Sequence, residues 1–292
     1  SKKVQEQYEE YPYPRWRFIN DNIKFDFLSR LNQNIDPNHV KYNNKFNNPN
    51  VLIAGCGTGS HPISSSIYKN ANILAVDLSL TSLAYAKRKT EELNIKNIEF
   101  LHADILNLKN LNRKFDIIES SGVIHHMKDP VAGLEVLVDI LEPHGFLRLC
   151  IYSEAARQDI VKAREFIKNK DYKNTSADIK ICRQDIVNEK RNLSFQKVSS
   201  TKDFYSTSGV KDLLFHVQEH RFTIPQISKI LKDLNLEFLG FDFAAQSVKI
   251  EYLKLFPNDE KCISLANWHQ FELNNSNTVP SMYQFWVRKN RF

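Results

Sequence analysis

Cysteine is scarce in this 292-residue sequence: Cys56, Cys150, Cys182 and Cys262 stand far apart and form no C-x-x-C pair. That excludes a disulfide framework and a cysteine zinc knuckle, and it points to a reducing, cytoplasmic setting. No uninterrupted apolar stretch approaches the roughly 18 residues of a membrane span, and no signal-peptide pattern opens the chain, so no membrane partner is expected. Internal repeats are absent too. Neither sign of charge dominates: 40 Lys and Arg against 34 Asp and Glu give +6 at pH 7. Over this length, that permits an anionic partner without demanding one. The chain opens with Ser1 rather than Met, so further sequence is expected upstream. What is present is ordinary for a folded domain, with 42% hydrophobic and 25% charged residues. The Asn and Lys usage hints at an A/T-rich, bacterial genome.

The first 20 residues crowd aromatics between prolines: Tyr8, Tyr11, Pro12, Tyr13, Pro14, Arg15, Trp16, Arg17 and Phe18. Prolines so placed give a stiff extended segment. So many aromatics are costly in water, so this arm is expected to pack over a groove or to cover a ligand. Residues 32–50, with Asn43, Asn44, Asn47, Asn48 and Asn50 beside Pro37 and Pro49, read as a linker. Residues 1–50 are thus expected to form an arm and linker ahead of a domain at 51–292.

Within that domain, apolar strands are expected at 51–54, 73–76, 98–101, 115–119 and 146–151. Helices are expected between them, at 60–68, 80–93 and 130–141, the last capped by Asp129. Further strands are read at 236–243 and 282–287, after a helix at 223–235. Strands alternating with helices mean βαβ units. The expected fold class is α/β, a Rossmann-like, seven-stranded, mostly parallel sheet flanked by helices. Residues 154–220 interrupt it as a helical insertion after the fifth strand. Ten Lys and Arg against seven Asp and Glu over 151–191 read as a solvated face rather than a nucleic-acid surface.

The sharpest signal is Gly55-Cys56-Gly57-Thr58-Gly59, between the first strand and its helix. Glycines there allow a tight turn and close backbone approach to a ligand, and the helix behind offers unpaired N–H groups. Asp77 ends the next strand, placed to accept hydrogen bonds from a ribose diol, with Leu78 following it. This order of strand, glycine loop, helix, strand and acid points to a nucleoside-containing ligand. The dinucleotide fingerprint fails, because Ser60 stands where Gly or Ala is required. The phosphate-loop pattern is absent.

These motifs resemble those of the class I methyltransferases that use S-adenosylmethionine. G-x-G-x-G looks like their first motif. Asp104, with Ile105 after it, matches the acidic residue beside the adenine. Glu119-Ser120-Ser121-Gly122-Val123-Ile124-His125-His126 matches the segment after the fourth strand, and Leu141-Glu142-Pro143-His144-Gly145-Phe146 the turn into the fifth. One departure stands out: Ile53 occupies a place where the family often has Asp or Glu for the methionyl ammonium. The segments Tyr-Pro-Tyr-Pro-Arg-Trp, Phe-His-Val-Gln-Glu-His-Arg-Phe (215–222) and Met-Tyr-Gln-Phe-Trp resemble bacterial methyltransferase domains often placed after tetratricopeptide repeats, which implies an upstream repeat domain.

The resemblance implies methyl transfer by in-line displacement onto a small molecule or a protein side chain. The donor is expected on Gly55, Cys56, Gly57, Thr58, Gly59, Asp77, Leu78, Asp104, Ile105 and Glu119. His125 or His126 is a candidate general base. The acceptor is expected near Tyr11, Tyr13, Arg15, Trp16, Arg148, Tyr152, His216 and His220, with Arg148, Tyr152 and Arg157 suited to an anionic group. His216 and His220 also fit H-x-x-E-H, and on a helix they would share a face. With only three fixed letters, that motif is read as acceptor pocket and no metal is expected. Nucleic acid is an unlikely acceptor, since neither the amine-directed D/N-P-P-Y/F signature nor a Pro-Cys nucleophile is present. The alternatives are a catalytically silent nucleoside-binding module and a nicotinamide-dependent oxidoreductase.

Overall fold

The computed structural model describes residues 1–16, 24–41, 46–242, 245–275 and 282–290. All seven expected strands are present: β1 (Asn50–Ala54), β2 (Asn72–Asp77), β3 (Ile98–His102), β4 (Phe115–Ser121), β5 (Leu141–Tyr152), β6 (Leu236–Phe241) and β7 (Met282–Lys289). They form one sheet in the order β3-β2-β1-β4-β5-β7-β6. The first five are parallel, and β7 runs antiparallel to both β5 and β6. The continuous apolar runs follow from burial on both faces. Along β1, Leu52 and Ala54 enter one core while Val51 and Ile53 enter the other. β2 repeats the alternation with Leu74 and Val76 against Ile73 and Ala75.

The described helices are α1 (Lys2–Glu10), α2 (Phe27–Ile35), α3 (Ser60–Ser65), α4 (Leu80–Glu92), α5 (Pro130–Asp139), α6 (Gln158–Asn169), α7 (Ser176–Asn188), α8 (Leu193–Ser199), α9 (Thr207–Leu214), α10 (Ile224–Asp233), α11 (Gln246–Leu255) and α12 (Leu265–Asn274). Ser79 caps α4 by accepting from the Ser82 N–H, and the helix turns Leu83, Ala86 and Thr90 inward. Asp129 caps α5 through the Val131 and Ala132 N–H groups, with Pro130 opening the helix. α6 to α9 wrap their own apolar cluster, including Ile160, Cys182, Phe195 and Leu214. The insertion is therefore a subunit of the fold with its own core. No helix among the described residues is long and apolar enough to cross a membrane.

The structure departs from the sequence reading in four places. The arm is not extended from its start: Ser1 caps α1, which runs to Glu10 and stops ahead of Pro12. The prolines end the helix rather than prevent it. The supposed linker at 32–50 begins inside α2, which is started by Asp26 and buries Phe27, Leu31 and Ile35 at four-residue spacing. Asn32 braces the chain after this helix, since its amide accepts from the Val40 N–H and donates to the Val40 carbonyl. The turn expected at 142–145 lies within β5, as an irregularity at His144 with φ +66°. Finally, α9 ends at Leu214 and the chain runs without helix to Phe222. His216 and His220 thus share no helical face. Arg17, Phe18, Asn43, Asn44 and Phe243, assigned above to the arm, the linker and the sixth strand, lie outside the described residues.

Candidate active site

The strand order reverses beside β1, between β2 and β4, which is where open α/β sheets bind their ligands. A cavity of about 540 Å³ opens there. Its floor comes from Gly55, Cys56 and Gly57 after β1, and its sides from Asp77 and Leu78 after β2, Asp104 and Ile105 after β3, and Val123 and His126 after β4. Two glycines are required by the geometry. Gly57 has φ +51°, and a Cβ there would meet the Tyr13 carbonyl at 2.5 Å. Gly59 has φ +92°, and a Cβ there would stand 2.6 Å from that of Ala86 in α4. Asp77 ties the loop to the sheet, accepting from the Gly57 N–H at 2.7 Å and the Ser79 N–H at 2.9 Å. Burial raises its pKa, and these backbone hydrogen bonds work against the rise. A carboxylate has about four acceptor positions, and with the Gly57, Ser79 and Leu78 amides drawing on it Asp77 keeps capacity for a ribose hydroxyl. Asp104 accepts from the Leu106 N–H.

The arm roofs this cavity with Ser1, Val4, Tyr8, Tyr13 and Pro14. It is held at both ends. At one end, Glu9 accepts from the Leu80 N–H (2.7 Å), the Thr81 N–H (2.9 Å) and the Thr81 hydroxyl (2.6 Å) at the start of α4. At the other, the Thr58 hydroxyl donates to the Pro14 carbonyl, and Trp16 Nε1 donates to the Thr58 carbonyl and hydroxyl at 3.1 Å each. Tyr85 adds a bond to the Trp16 carbonyl at 2.7 Å. Thr58 and Gly59 do not line the cavity; Thr58 serves the arm and Gly59 packs against α4.

The arm also joins the cavity to the insertion. The Tyr8 hydroxyl donates to Asp212 Oδ1 at 2.7 Å, and the Tyr13 hydroxyl donates to Asp203 Oδ2 at 3.2 Å. Asp212 lies in α9 and is buried. Burial pushes its carboxyl up to about 7, with Asp203 and Glu219 adding to the rise and Tyr8 and Arg157 opposing it. Burial raises Asp203 as well, against its bond from Tyr13. His126 lines the cavity, and its Nδ1 meets the Gln218 carbonyl at 2.7 Å, so that nitrogen carries the proton. Burial, then the neighbouring His125 and His216, hold His126 well below the ordinary histidine range. The rings of His126 and His216 stack at 3.6 Å. Nitrogens of these two and a carboxylate oxygen of Asp212 lie within 4.8 Å of one another. Near-parallel stacked rings do not converge their in-plane lone pairs, and Tyr8 bonds to both His216 and Asp212. The trio therefore reads as a hydrogen-bonded cluster.

Other expected residues fall elsewhere. Glu119 is buried behind the wall, contacting His61 Nε2 at 2.8 Å and accepting from the Tyr68 hydroxyl at 2.8 Å; it is His61 that lines the cavity. Burial works to raise the Glu119 carboxyl, but His61, Arg148 and Tyr68 together bring it below its ordinary value. His125 is fully buried: its Nδ1 accepts from the Tyr152 N–H, its ring stacks on Tyr152 at 3.6 Å, and Nε2 has no partner among the described residues. It does not reach the cavity. Arg148 is spent on Asp242 (2.6 Å), with Glu119 at 4.0 Å. Arg157 is buried, lies 3.5 Å over the Tyr152 ring and pairs with Glu219 at 2.8 Å. Lys211 sits 3.4 Å over the Tyr11 ring. Arg15 is exposed. The His220 N–H donates to the His125 carbonyl.

Sequence reasoning missed Glu9, His61, Asp203 and Asp212, and named Tyr8 only as one aromatic of the arm. The spacing of Val4, Tyr8 and Tyr11 held a helical signal for the arm, but nothing local marks two insertion carboxylates as partners of its tyrosines.

A family model described as a methyltransferase domain matches residues 45–207. An uncharacterized protein of Synechococcus sp. is 27% identical over 237 residues, covering 77% of this chain and 56% of that protein. A demethylmenaquinone methyltransferase of Clavibacter sepedonicus is 30% identical over 102 residues, 35% of this chain and 40% of that protein. Among solved structures, PKMT2 from Rickettsia typhi in complex with AdoHcy shares the fold, with a TM-score of 0.68 and 17% identity over 94% of this chain and 56% of that one. The chain therefore spans about half the length of these relatives.

Proposed function

The chain belongs to the methyltransferase-domain family, whose methyl donor is S-adenosylmethionine, and from that premise we propose that it methylates an amine nitrogen on a small molecule or a protein side chain. Bound S-adenosylmethionine supplies a methyl group on a sulfonium that leaves readily. The residues present fit this donor. Gly57 is bare where a side chain would strike the Tyr13 carbonyl, so the arm can close on the loop; Asp77 retains acceptor capacity toward a ribose hydroxyl, and Asp104 and Ile105 would flank the base.

The observation that carries the amine reading is the pairing of cavity tyrosines with carboxylates behind them, Tyr8 with Asp212 and Tyr13 with Asp203. A phenol that donates to a carboxylate becomes a better acceptor, and its ring a better cation partner. The arginines once suited to an anionic acceptor are already neutralised, Arg148 by Asp242 and Arg157 by Glu219. The carboxylates lining the cavity are Asp77, Asp104 and Asp129, against Lys128 and the imidazoles of His61 and His126. A cation is favoured in such surroundings, as an anion is not.

The roles of this chain's residues follow. The glycine loop and Asp77 hold the donor. Arm and insertion hold the acceptor, excluding water and aligning nitrogen with methyl, an effect worth effective molarities of up to roughly 10⁵–10⁸ M. All four cysteines are free and buried, which supports a reducing cytoplasm, and the bacterial sources of the Synechococcus and Clavibacter relatives support a bacterial origin. The test is transfer from a methyl-labelled donor to parallel panels of primary amines, carboxylic acids, alcohols and thiols. Label in the amines supports the reading. Label in another class, with the amines inert, refutes it.

A further inference from the structure

An alkylammonium has no lone pair, so an amine acceptor must shed a proton before it can attack a methyl group. The two cavity histidines are poorly placed to take it: His61 Nε2 is engaged with Glu119 at 2.8 Å, and burial has made His126 a weak base whose Nδ1 is committed to Gln218. Tyr8 offers another route. Its ring lines the cavity, and its hydroxyl donates to Asp212 at 2.7 Å. His216 Nδ1 accepts from the Gln218 N–H at 3.1 Å, so the proton of the neutral ring is on Nε2, which donates to the Tyr8 oxygen at 3.2 Å. That leaves one lone pair on the phenolic oxygen.

We propose that Tyr8 is a catalytic residue of this enzyme and that Asp212, acting through it, is the sink for the acceptor's proton. The inference rests on the amine reading above. In the step, an N–H bond of the ammonium breaks and a new O–H bond forms on Tyr8. The former Tyr8 O–H bond breaks and an O–H bond forms on Asp212 Oδ1. The nitrogen keeps the electron pair with which it attacks. An ammonium and a carboxylate become a neutral amine and a neutral acid, so the transfer removes two charges from a water-poor chamber, the direction low polarity favours.

The surroundings of Asp212 suit a sink. Asp203 and Glu219 favour its protonated form, while Arg157 and the Tyr8 bond keep the ionised form within reach near neutrality, at about 7. Tyr13 and Tyr152 also face it, and burial keeps both phenols protonated. The neighbouring His126 and His216 are held neutral by burial, His216 down at about 4. Asp212 therefore exchanges its proton near pH 7, with the neighbouring phenols protonated and the neighbouring imidazoles neutral.

The experiment compares the full chain with Asp212→Asn and Tyr8→Phe, using labelled donor and the amine panel. Wild-type kcat should rise with pH through about 7, as Asp212 ionises. Both variants should lose about 100-fold or more in kcat, the usual scale of acid–base assistance, with donor Kd by calorimetry unchanged within threefold. In Asp212→Asn the limb near 7 should vanish. Infrared difference titration, which needs no acceptor, should show a wild-type carboxyl titrating near 7 that is missing in Asp212→Asn and moved upward in Tyr8→Phe. The relay is overturned by a uniform fall in kcat with the limb kept, by unchanged kcat, or by the absence of that carboxyl signal. A wild type inert toward every amine overturns the amine reading, and the relay with it.

Discussion

The arm latch at Glu9 can be weakened without touching the cavity. Glu9→Ala removes the acceptor of the Leu80 N–H, the Thr81 N–H and the Thr81 hydroxyl. Water can reach these groups at the exposed start of α4, so their loss is worth a capping interaction, ~0.5–2 kcal/mol, rather than the sum of three buried bonds. Docking of the arm should therefore weaken by about 2- to 30-fold, at 1.4 kcal/mol per tenfold. If the arm must lift for the spent donor to leave, its dissociation rate rises by the same factor. Stopped-flow displacement of S-adenosylhomocysteine measures that rate, and limited proteolysis of the arm reports undocking directly. The melting temperature should change little, because no residue of α1 belongs to the three main apolar clusters. pH provides an internal control. Burial works to raise the Glu9 carboxyl, but hydrogen bonds from Thr81, Leu80 and Ser79 hold it below its ordinary 4.5. The latch is thus complete above 4.5 and is lost as pH falls through the lowered value. Acid should speed release in wild type and not in Glu9→Ala. An arm that becomes protease-sensitive while release stays unchanged would refute the lid.

Two further predictions concern buried carboxylates. Asp77→Ala removes the anchor of the Gly57 and Ser79 amides together with the acceptor for the ribose diol, so donor affinity by calorimetry should fall about 100-fold or more, from two hydrogen bonds to a charged group at roughly 1.5–3 kcal/mol each; a change within threefold refutes the assignment. For Asp212, the folded pKa of about 7 against the ordinary 3.8 means that wild type loses stability as pH rises between those values, by up to about 4 kcal/mol at 1.36 kcal/mol per pH unit. The stability advantage of Asp212→Asn over wild type, by urea denaturation, should grow by that scale from pH 4 to pH 8, and a flat difference would show that Asp212 is not buried as described.

The sheet and the donor cradle were legible in the sequence because their signals are local. A parallel strand buried on both faces must be an apolar run, and a backbone that turns at φ +51° and +92° with no room for Cβ must be glycine. Both constraints act on consecutive residues. The helices α1 and α2 were written locally too, in the caps at Ser1 and Asp26 and in apolar spacings of four. They were obscured because prolines and asparagines nearby read more loudly as breakers. Glu119 was a different kind of miss. Its place in the chain matched a donor contact, but side chains from α3, β5 and residue 68 reached it first.

The acceptor side had no local signature. Tyr8 and Asp212 are 204 positions apart, and Tyr13 and Asp203 are 190 apart. The tyrosines stand out in their aromatic arm, but neither aspartate is marked among its neighbours in the chain. Amino-acid order alone pointed to a nucleoside donor at the ends of β1 and β2, since the demands of such a site fall on neighbouring residues. Only folding, which lays the arm between the sheet and the insertion, decided what faces the donor, because pairing a phenol with a distant carboxylate is a property of two surfaces and leaves no trace in either stretch alone.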